Sequence, residues 1–335
     1  MTKKETQQCC EKFKTMIGGQ ALIEGIMMRG PQKDAVVVRG KDGLTLEVSD
    51  RRLPPEKSPW RWPLLRGVYN FFDSQMTGVR SLLRSADLSP EEGEELEEPS
   101  KLDIWLEKKL GSEKFQKVVV MVAALAGIGL SILLFFLLPM VIGGLFDGLV
   151  KTTLGVNLIE GIIRMAIFSC YIVLVSRMKE MKRLFAYHGA EHKTIRCYEA
   201  QLPLTVENVR RQTRLHPRCG TSFLLVVMIL SILVFSVASS LLLSVVPVLE
   251  TIRGSFGYRL IMIAFKLFLL PVVVAFAYEI NRWVGRCDNW LTRIVMAPGL
   301  WFQNFTTNEP DDSMIEVAIM AVEAVLPENE GDDKW

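Results

Sequence analysis

A chain of 335 residues that is 50% hydrophobic and 23% charged, with positive mean hydropathy, suits a lipid bilayer better than water alone. Its net charge of +2 argues against nucleic acid as a partner, and its six cysteines show no extracellular disulfide framework, so they read as reduced thiols. The opening "MTKKETQQCCEKFKTM" lacks the apolar core of a secretory signal.

Residues 1–15 read as a disordered basic tail. From residue 16 the text changes to "MIGGQALIEGIMMRGPQKDAVVVRGKDGLTLEV". Short apolar runs separated by Gly-Gly, Arg-Gly-Pro and Lys-Asp-Gly predict several short strands. Asp42-Gly43 marks a hairpin between Val36–Val38 and Leu44–Val48. Such a unit is too small to bury a core alone and must lean on another part of the chain. Residues 60–86 place Leu64, Leu65, Val68, Phe71, Phe72, Met76, Val79, Leu82 and Leu83 at helical spacing among arginines. A basic, aromatic amphipathic helix fits a membrane surface; an ordinary core helix fits equally well. The acidic run at 89–100, "SPEEGEELEEPS", predicts a solvated linker.

Four apolar stretches follow: Val118–Phe146, Leu158–Val175, Ser222–Val246 and Tyr258–Tyr278. Each reaches the roughly 18–20 residues that cross a bilayer. Lysine and arginine crowd the segment from Arg177 to Arg218, and Arg282, Arg286 and Arg293 follow the last span. The other two loops offer little beyond Lys151 and Arg253. This asymmetry predicts that both termini and the 177–218 segment face the cytoplasm. Three ionisable residues fall in or near spans. Arg164 is spaced to pair with Glu160 on one helix face, while Lys266 and Glu279 are expected to reach the headgroups. The tail "TTNEPDDSMIEVAIMAVEAVLPENEGDDKW" predicts a helix capped by Thr307 or Asn308, with Pro310 in its first turn and an apolar body at Ile315–Leu326 that packs on the N-terminal region.

The expected architecture is therefore an α-helical polytopic membrane protein: four transmembrane helices with a small cytoplasmic α+β part. Its segments are a tail (1–15), an N-terminal α+β segment with the amphipathic helix (16–88), the linker (89–100), spans one and two (101–176), a cytoplasmic histidine loop (177–221), spans three and four (222–280) and a C-terminal segment with a helix (281–335).

All three histidines lie in that loop. In His188-Gly-Ala-Glu191-His192, helical geometry sets His188 and His192 on one face with Cβ atoms about 6 Å apart, close enough to converge on one divalent ion. Glu191 stands in the order of the inverted zincin motif, as a general base for catalytic water. At the loop's other end, His216-Pro217-Arg218-Cys219-Gly220 has the form of a metal knuckle. Zinc, or another divalent transition metal, suits this His/Cys set. His188, His192, His216 and Cys219 together would close a structural tetrahedron, whereas three of them plus water would leave a catalytic position. Without a metal, the histidines would cap span two and bind headgroups, Cys219 would be a buried thiol, and Glu191 would pair with Lys193 or Arg196. The glycine-rich "GGQALIEGIMMRGP" is placed to close over the site, with Gln20, Glu24 and Arg29 as its polar candidates, though turn chemistry alone accounts for the glycines.

The stretches "IGGQALIEGIMMRGP", "YHGAEHKTI", "HPRCGTSF" and "NEPDDSMIEVAI", around four apolar spans, resemble the YqhQ-like bacterial membrane family over about residues 16–326. That is a family of unknown function described as predicted metal-dependent enzymes. The resemblance implies a bacterial cytoplasmic-membrane protein with a metal site at His188, Glu191, His192, His216 and Cys219. It supplies no substrate. The leading expectation is a metal-dependent hydrolase at the inner leaflet, in contact with membrane lipids and with a membrane-protein partner or a second copy of itself. A scaffold with a structural zinc is the alternative, and a transporter comes third.

Overall fold

A computed structural model describes residues 13–89, 112–146, 152–329 and 331–334. The expectations for most of the N-terminal tail and for nearly all of the acidic linker lie outside those residues. Four strands form one antiparallel meander: β1 (Gly18–Leu22), β2 (Gly25–Arg29), β3 (Lys33–Gly40) and β4 (Gly43–Asp50). Two-residue turns close both the β1–β2 and β3–β4 hairpins, since Leu22 pairs with Gly25 and Gly40 with Gly43. Gly43 has φ 116°, a conformation that L side chains resist, which is why the Asp-Gly pair announces the second turn.

Helices follow in order: α1 (Leu65–Leu88), α2 (Ser112–Ile132) running through a π segment at Leu133–Leu137 into α3 (Leu138–Gly144), α4 (Thr153–Val175), α5 (Lys179–Glu199), α6 (Val206–Arg210), α7 (Gly220–Val245), α8 (Val248–Thr251), α9 (Phe256–Arg286), α10 (Trp290–Thr306) and α11 (Asp312–Glu323). Four stretches are long and apolar enough to cross a bilayer: Met121–Gly144, Leu154–Val175, Gly220–Val245 and Phe256–Arg286. Most of the chain between spans two and three is helical, so the expected histidine loop is instead α5, α6 and a short connector to Cys219.

The described chain gathers into two compact units. The first is drawn from Met1–Pro90, Cys170–Val234 and Phe268–Trp335. Its core joins Ile26 and Met28 of β2 and Ala35 and Val37 of β3 to Ala186, Tyr187 and Ala190 of α5 and Val317, Ala318 and Ala321 of α11. Burying each large side chain of this set contributes about 1.5–3 kcal/mol, enough to fix a sheet that could not stand alone. The C-terminal helix thus packs on the N-terminal sheet as its apolar body implies, but its cap is Asp311, whose side chain accepts from Met314 N–H at 2.9 Å. Thr307 and Asn308 are engaged elsewhere. Asn308 N–H donates to the Phe185 carbonyl of α5 at 2.8 Å, and its side-chain amide donates to the Lys182 carbonyl.

Helix α10 lies in the C-terminal segment, and Pro298-Gly299 falls in its middle. The glycine serves a crossing: a Cβ there would lie 2.4 Å from Ser222 Oγ of α7. An Asn289/Thr292 capping box starts the helix. Near the membrane end of α9, Glu279 accepts from Arg66 of α1 rather than standing alone at the headgroups.

The second unit is drawn from Glu91–Ser169 and Phe235–Leu267. Two expectations are corrected in it. Lys266 does not reach outward; it is 2% exposed and donates to Glu160 at 2.5 Å. Arg164 donates to the Phe135 carbonyl at 2.7 Å instead of forming a pair with Glu160.

Candidate metal centre

Helix α5 sets His188 and His192 one turn apart with ring centroids 4.3 Å from each other. Each imidazole is steered by a backbone carbonyl. His188 Nδ1 lies 2.8 Å from the Thr306 carbonyl and His192 Nδ1 lies 2.6 Å from that of Arg214. A carbonyl only accepts, so in both rings Nδ1 carries the hydrogen and Nε2 presents a lone pair. His188 Nε2 stands 3.3 Å from Cys219 Sγ, at the start of α7. Ligand atoms of His188, His192 and Cys219 all lie within 4.8 Å of one another.

Close approach of the backbone makes this arrangement possible. Gly189, between His188 and Glu191, faces the 306–308 segment so tightly that a Cβ would lie 2.0 Å from the Asn308 carbonyl oxygen. Cys219 Sγ accepts from Thr221 N–H at 3.4 Å, the amide-to-sulfur contact expected of a knuckle, and donates to the Thr221 hydroxyl oxygen at 3.6 Å. Burial would push the Cys219 thiol up, but His192 and the Thr221 donors outweigh it and hold it below its ordinary value. His192 is pushed down to about 4, chiefly by burial; the neighbouring sulfur opposes this and His188 adds to it. At neutral pH its ring is therefore uncharged, as a ligand must be.

Glu191 lies against the same cluster. Burial pushes its carboxyl up to about 7; His188 and a Gly19 N–H pull down, and Cys219 pushes up. Its Oε2 is buried with no hydrogen-bond partner among the described residues. Neither Lys193 nor Arg196 takes it. Lys193 pairs with Glu309, and Arg196 donates to the Leu215 carbonyl. An orphaned carboxylate oxygen beside two oriented imidazoles and a low-pKa thiol fits a divalent transition metal with a water at the open position.

His216 stands apart from the triad. Gln303 of α10 clamps its backbone from both sides, at 2.7 Å and 2.8 Å. Its Nε2 is 3.5 Å from Glu199 Oε2, and its ring is 5.5 Å from that of His192. Burial pushes His216 down to about 4. Glu199 also receives Arg218, and these partners hold its carboxyl low against the effect of burial. Of the glycine-rich candidates, Glu24 is turned to Arg183 and Tyr187, and Arg29 pairs with Asp34 and Asp73. Gly19 is the residue that meets the site: a Cβ there would be 3.1 Å from Glu191 Cδ. Gln20 and Arg29 line a cavity of about 840 Å³ that also borders His188, Glu191, His192, His216 and Cys219. The steering carbonyls of Thr306 and Arg214 had no sequence signal, since every residue carries one.

A family model described as a protein of unknown function, DUF1385, matches residues 62–328. The uncharacterized protein YqhQ of Bacillus subtilis (strain 168) is 31% identical over 323 residues, covering 92% of each chain. No solved structure matches.

Proposed function

The chain belongs to the DUF1385 family, whose function is unknown, so its role is argued from the site itself: we propose a metal-dependent hydrolase at the cytoplasmic face of a bacterial membrane. His188, His192 and Cys219 would hold Zn²⁺ or another divalent transition metal, which supplies Lewis acidity when bound. Thr306 and Arg214 keep the imidazoles in the tautomer that offers Nε2. Glu191 takes a proton from water and later returns it to the leaving group. The observation that carries the proposal is the unpartnered Glu191 Oε2. A buried carboxylate without a partner destabilises the fold, and a scaffold gains nothing from it.

Glu191→Gln is expected to keep membrane level and metal content while abolishing complementation of a deletion strain. His188→Ala is expected to lose metal and function together. Full complementation by Glu191→Gln at full metal occupancy would replace the hydrolase with a structural-zinc scaffold. A wild-type preparation with no stoichiometric transition metal would end both.

Orientation is part of the proposal and rests on the lysine and arginine asymmetry. Contact with the bilayer, whichever its side, is supported by apolar side chains on two helices: Phe72, Met76 and Val79 of α1 and Trp290, Ile294 and Trp301 of α10 are all more than half exposed. Those side chains suit contact with lipid. A cysteine placed at Arg253 is expected to react with an impermeant thiol reagent on intact cells, and one at Arg211 is not; the reverse pattern would put the site outside the cell.

A further inference from the structure

Among the described residues, positive charge predominates in the lining of the cavity beside the triad. Seven arginines and one lysine line it against a single carboxylate, Glu191. Some have partners set back in the wall. Arg29 is held by Asp34 and Asp73, Arg66 by Glu279, and Arg218 by Glu199. Asp34 already binds Arg29 through both oxygens, at 2.9 Å and 3.0 Å, so Arg51 approaches it only to 3.9 Å. Across the cavity, Arg282 lies within electrostatic reach of Arg66 and Arg286, and both Arg51 and Arg282 lie within reach of Tyr278. Burial lowers Arg51 first and the Arg29 charge lowers it further, while Asp34, Asp73 and Tyr278 oppose them, and the guanidinium donates to the Gly30 carbonyl at 2.7 Å. Guanidinium groups do not shed their protons, so crowding of this kind is relieved by an anion.

The chemistry of that anion follows from the lining. Guanidinium forks match the tetrahedral oxygens of phosphate. At about 840 Å³ the cavity is far larger than a phosphate group and lies in the range that encloses an organic ligand. Leu53, Pro54 and Trp60 give one side of it an apolar wall.

We propose that this cavity binds a phosphate ester, its phosphate among Arg51, Arg282 and Arg286 and its organic part along the Trp60 wall, with the triad at one edge of the same space. As a statement about substrate this rests on the hydrolase proposed above; as a statement about binding it stands alone. The reaction would be phosphoester hydrolysis. Water oxygen bonds to phosphorus and the ester P–O bond breaks. One water proton passes through Glu191 to the departing alkoxide, leaving an alcohol and phosphate. A membrane lipid or a soluble metabolite would each supply the chemistry.

The test is equilibrium binding to the full-length protein in phosphatidylcholine nanodiscs. Three probes are used: dihexanoyl phosphatidate, glycerol 3-phosphate and inorganic phosphate. Loss of one charge-assisted contact in Arg51→Gln or Arg286→Gln is expected to weaken probe binding about tenfold. Arg211→Gln, paired with Glu207 and not lining the cavity, is the unaffected control. Thermal melts confirm folding; should Arg51→Gln unfold, Arg286→Gln carries the comparison. Tight phosphatidate binding with weak glycerol 3-phosphate binding assigns the ligand to the lipid, and the reverse assigns it to a soluble ester. Binding of none of the probes, or equal binding by wild type and the arginine variants, would overturn the proposal. Glu191→Gln removes the one carboxylate from the described lining and is expected to bind the probes at least as tightly as wild type. Should that variant complement fully, the hydrolase falls, while the cavity is still judged by the arginine variants alone.

Discussion

Gly189→Ala tests whether the site depends on close backbone approach. An alanine Cβ at this position would stand 2.0 Å from the Asn308 carbonyl oxygen and 3.2 Å from its carbonyl carbon. Ordinary contact begins near 3.4 Å, so the 306–308 segment must retreat by about 1.4 Å. That segment is pinned to α5 by Asn308 N–H on the Phe185 carbonyl and by the Asn308 amide on the Lys182 carbonyl. It also carries the Thr306 carbonyl, 2.8 Å from His188 Nδ1. A retreat of that size takes the Thr306 contact beyond hydrogen-bond range and frees the imidazole to rotate. Overpacking is expected to cost about 1–3 kcal/mol of stability. Loss of the steering carbonyl is expected to lower metal affinity about 10–100-fold. Competition against a chromophoric chelator reads the affinity, and thermal melts in detergent read the stability. Gly18→Ala, where an added Cβ meets nothing within 4 Å, is the matched control. Wild-type metal affinity and an unchanged melting temperature in Gly189→Ala would refute the reasoning.

In the second unit, Glu160→Gln leaves the Lys266 charge buried without its carboxylate and is expected to cost about 3–5 kcal/mol, whereas Glu160→Leu combined with Lys266→Met recovers most of it; equal stability of wild type and Glu160→Gln in denaturant titration would sink this account. Chelator-treated Glu191→Gln is expected to gain stability over chelator-treated wild type as pH rises. Below about 4.5 the glutamate is protonated whether folded or unfolded and the variant has no advantage. Between there and about 7 only the folded wild type keeps the proton, so its stability falls relative to the variant, and beyond that the gap is constant. A pH-independent gap in melting temperature would contradict the buried, unpartnered carboxylate. Asp311→Ala removes the α11 cap and is expected to cost about 1 kcal/mol, while Asn308→Ala tests the α5 anchor rather than a cap; equal helix stability in Asp311→Ala and wild type, read by hydrogen exchange, would return the cap to its neighbours.

Much of the fold is written in local chemistry. The four spans follow from runs of apolar residues whose length matches a bilayer, and Asp42-Gly43 marks its turn because the second residue must take positive φ. The spacing of His188 and His192 fixes their common face on a helix before any tertiary contact forms. Local chemistry also misled where a residue serves a distant neighbour. Asn308 is spaced to cap α11, yet it anchors the 306–308 segment to the Phe185 and Lys182 carbonyls of α5. Glu160 and Arg164 are spaced to pair, yet Lys266, more than a hundred residues away, takes the carboxylate, and the Phe135 carbonyl takes the guanidinium.

By itself, then, the sequence determined which segments are apolar enough to span, where the hairpin turns, and which side chains have metal-binding chemistry, because each depends on residue type and short-range periodicity. Only the tertiary structure decided which of those ligands converge. His188, His192 and Cys219 come together because Gly189 lets the 306–308 backbone approach α5 and because the knuckle returns the chain to the same helix face. His216 is drawn to Glu199 instead, held there by Gln303 of α10. The carbonyls that orient the imidazoles, and the isolation that leaves Glu191 Oε2 unpartnered, belong to no motif. They arise from backbone groups and burial, and both exist only once residues far apart in the chain have packed.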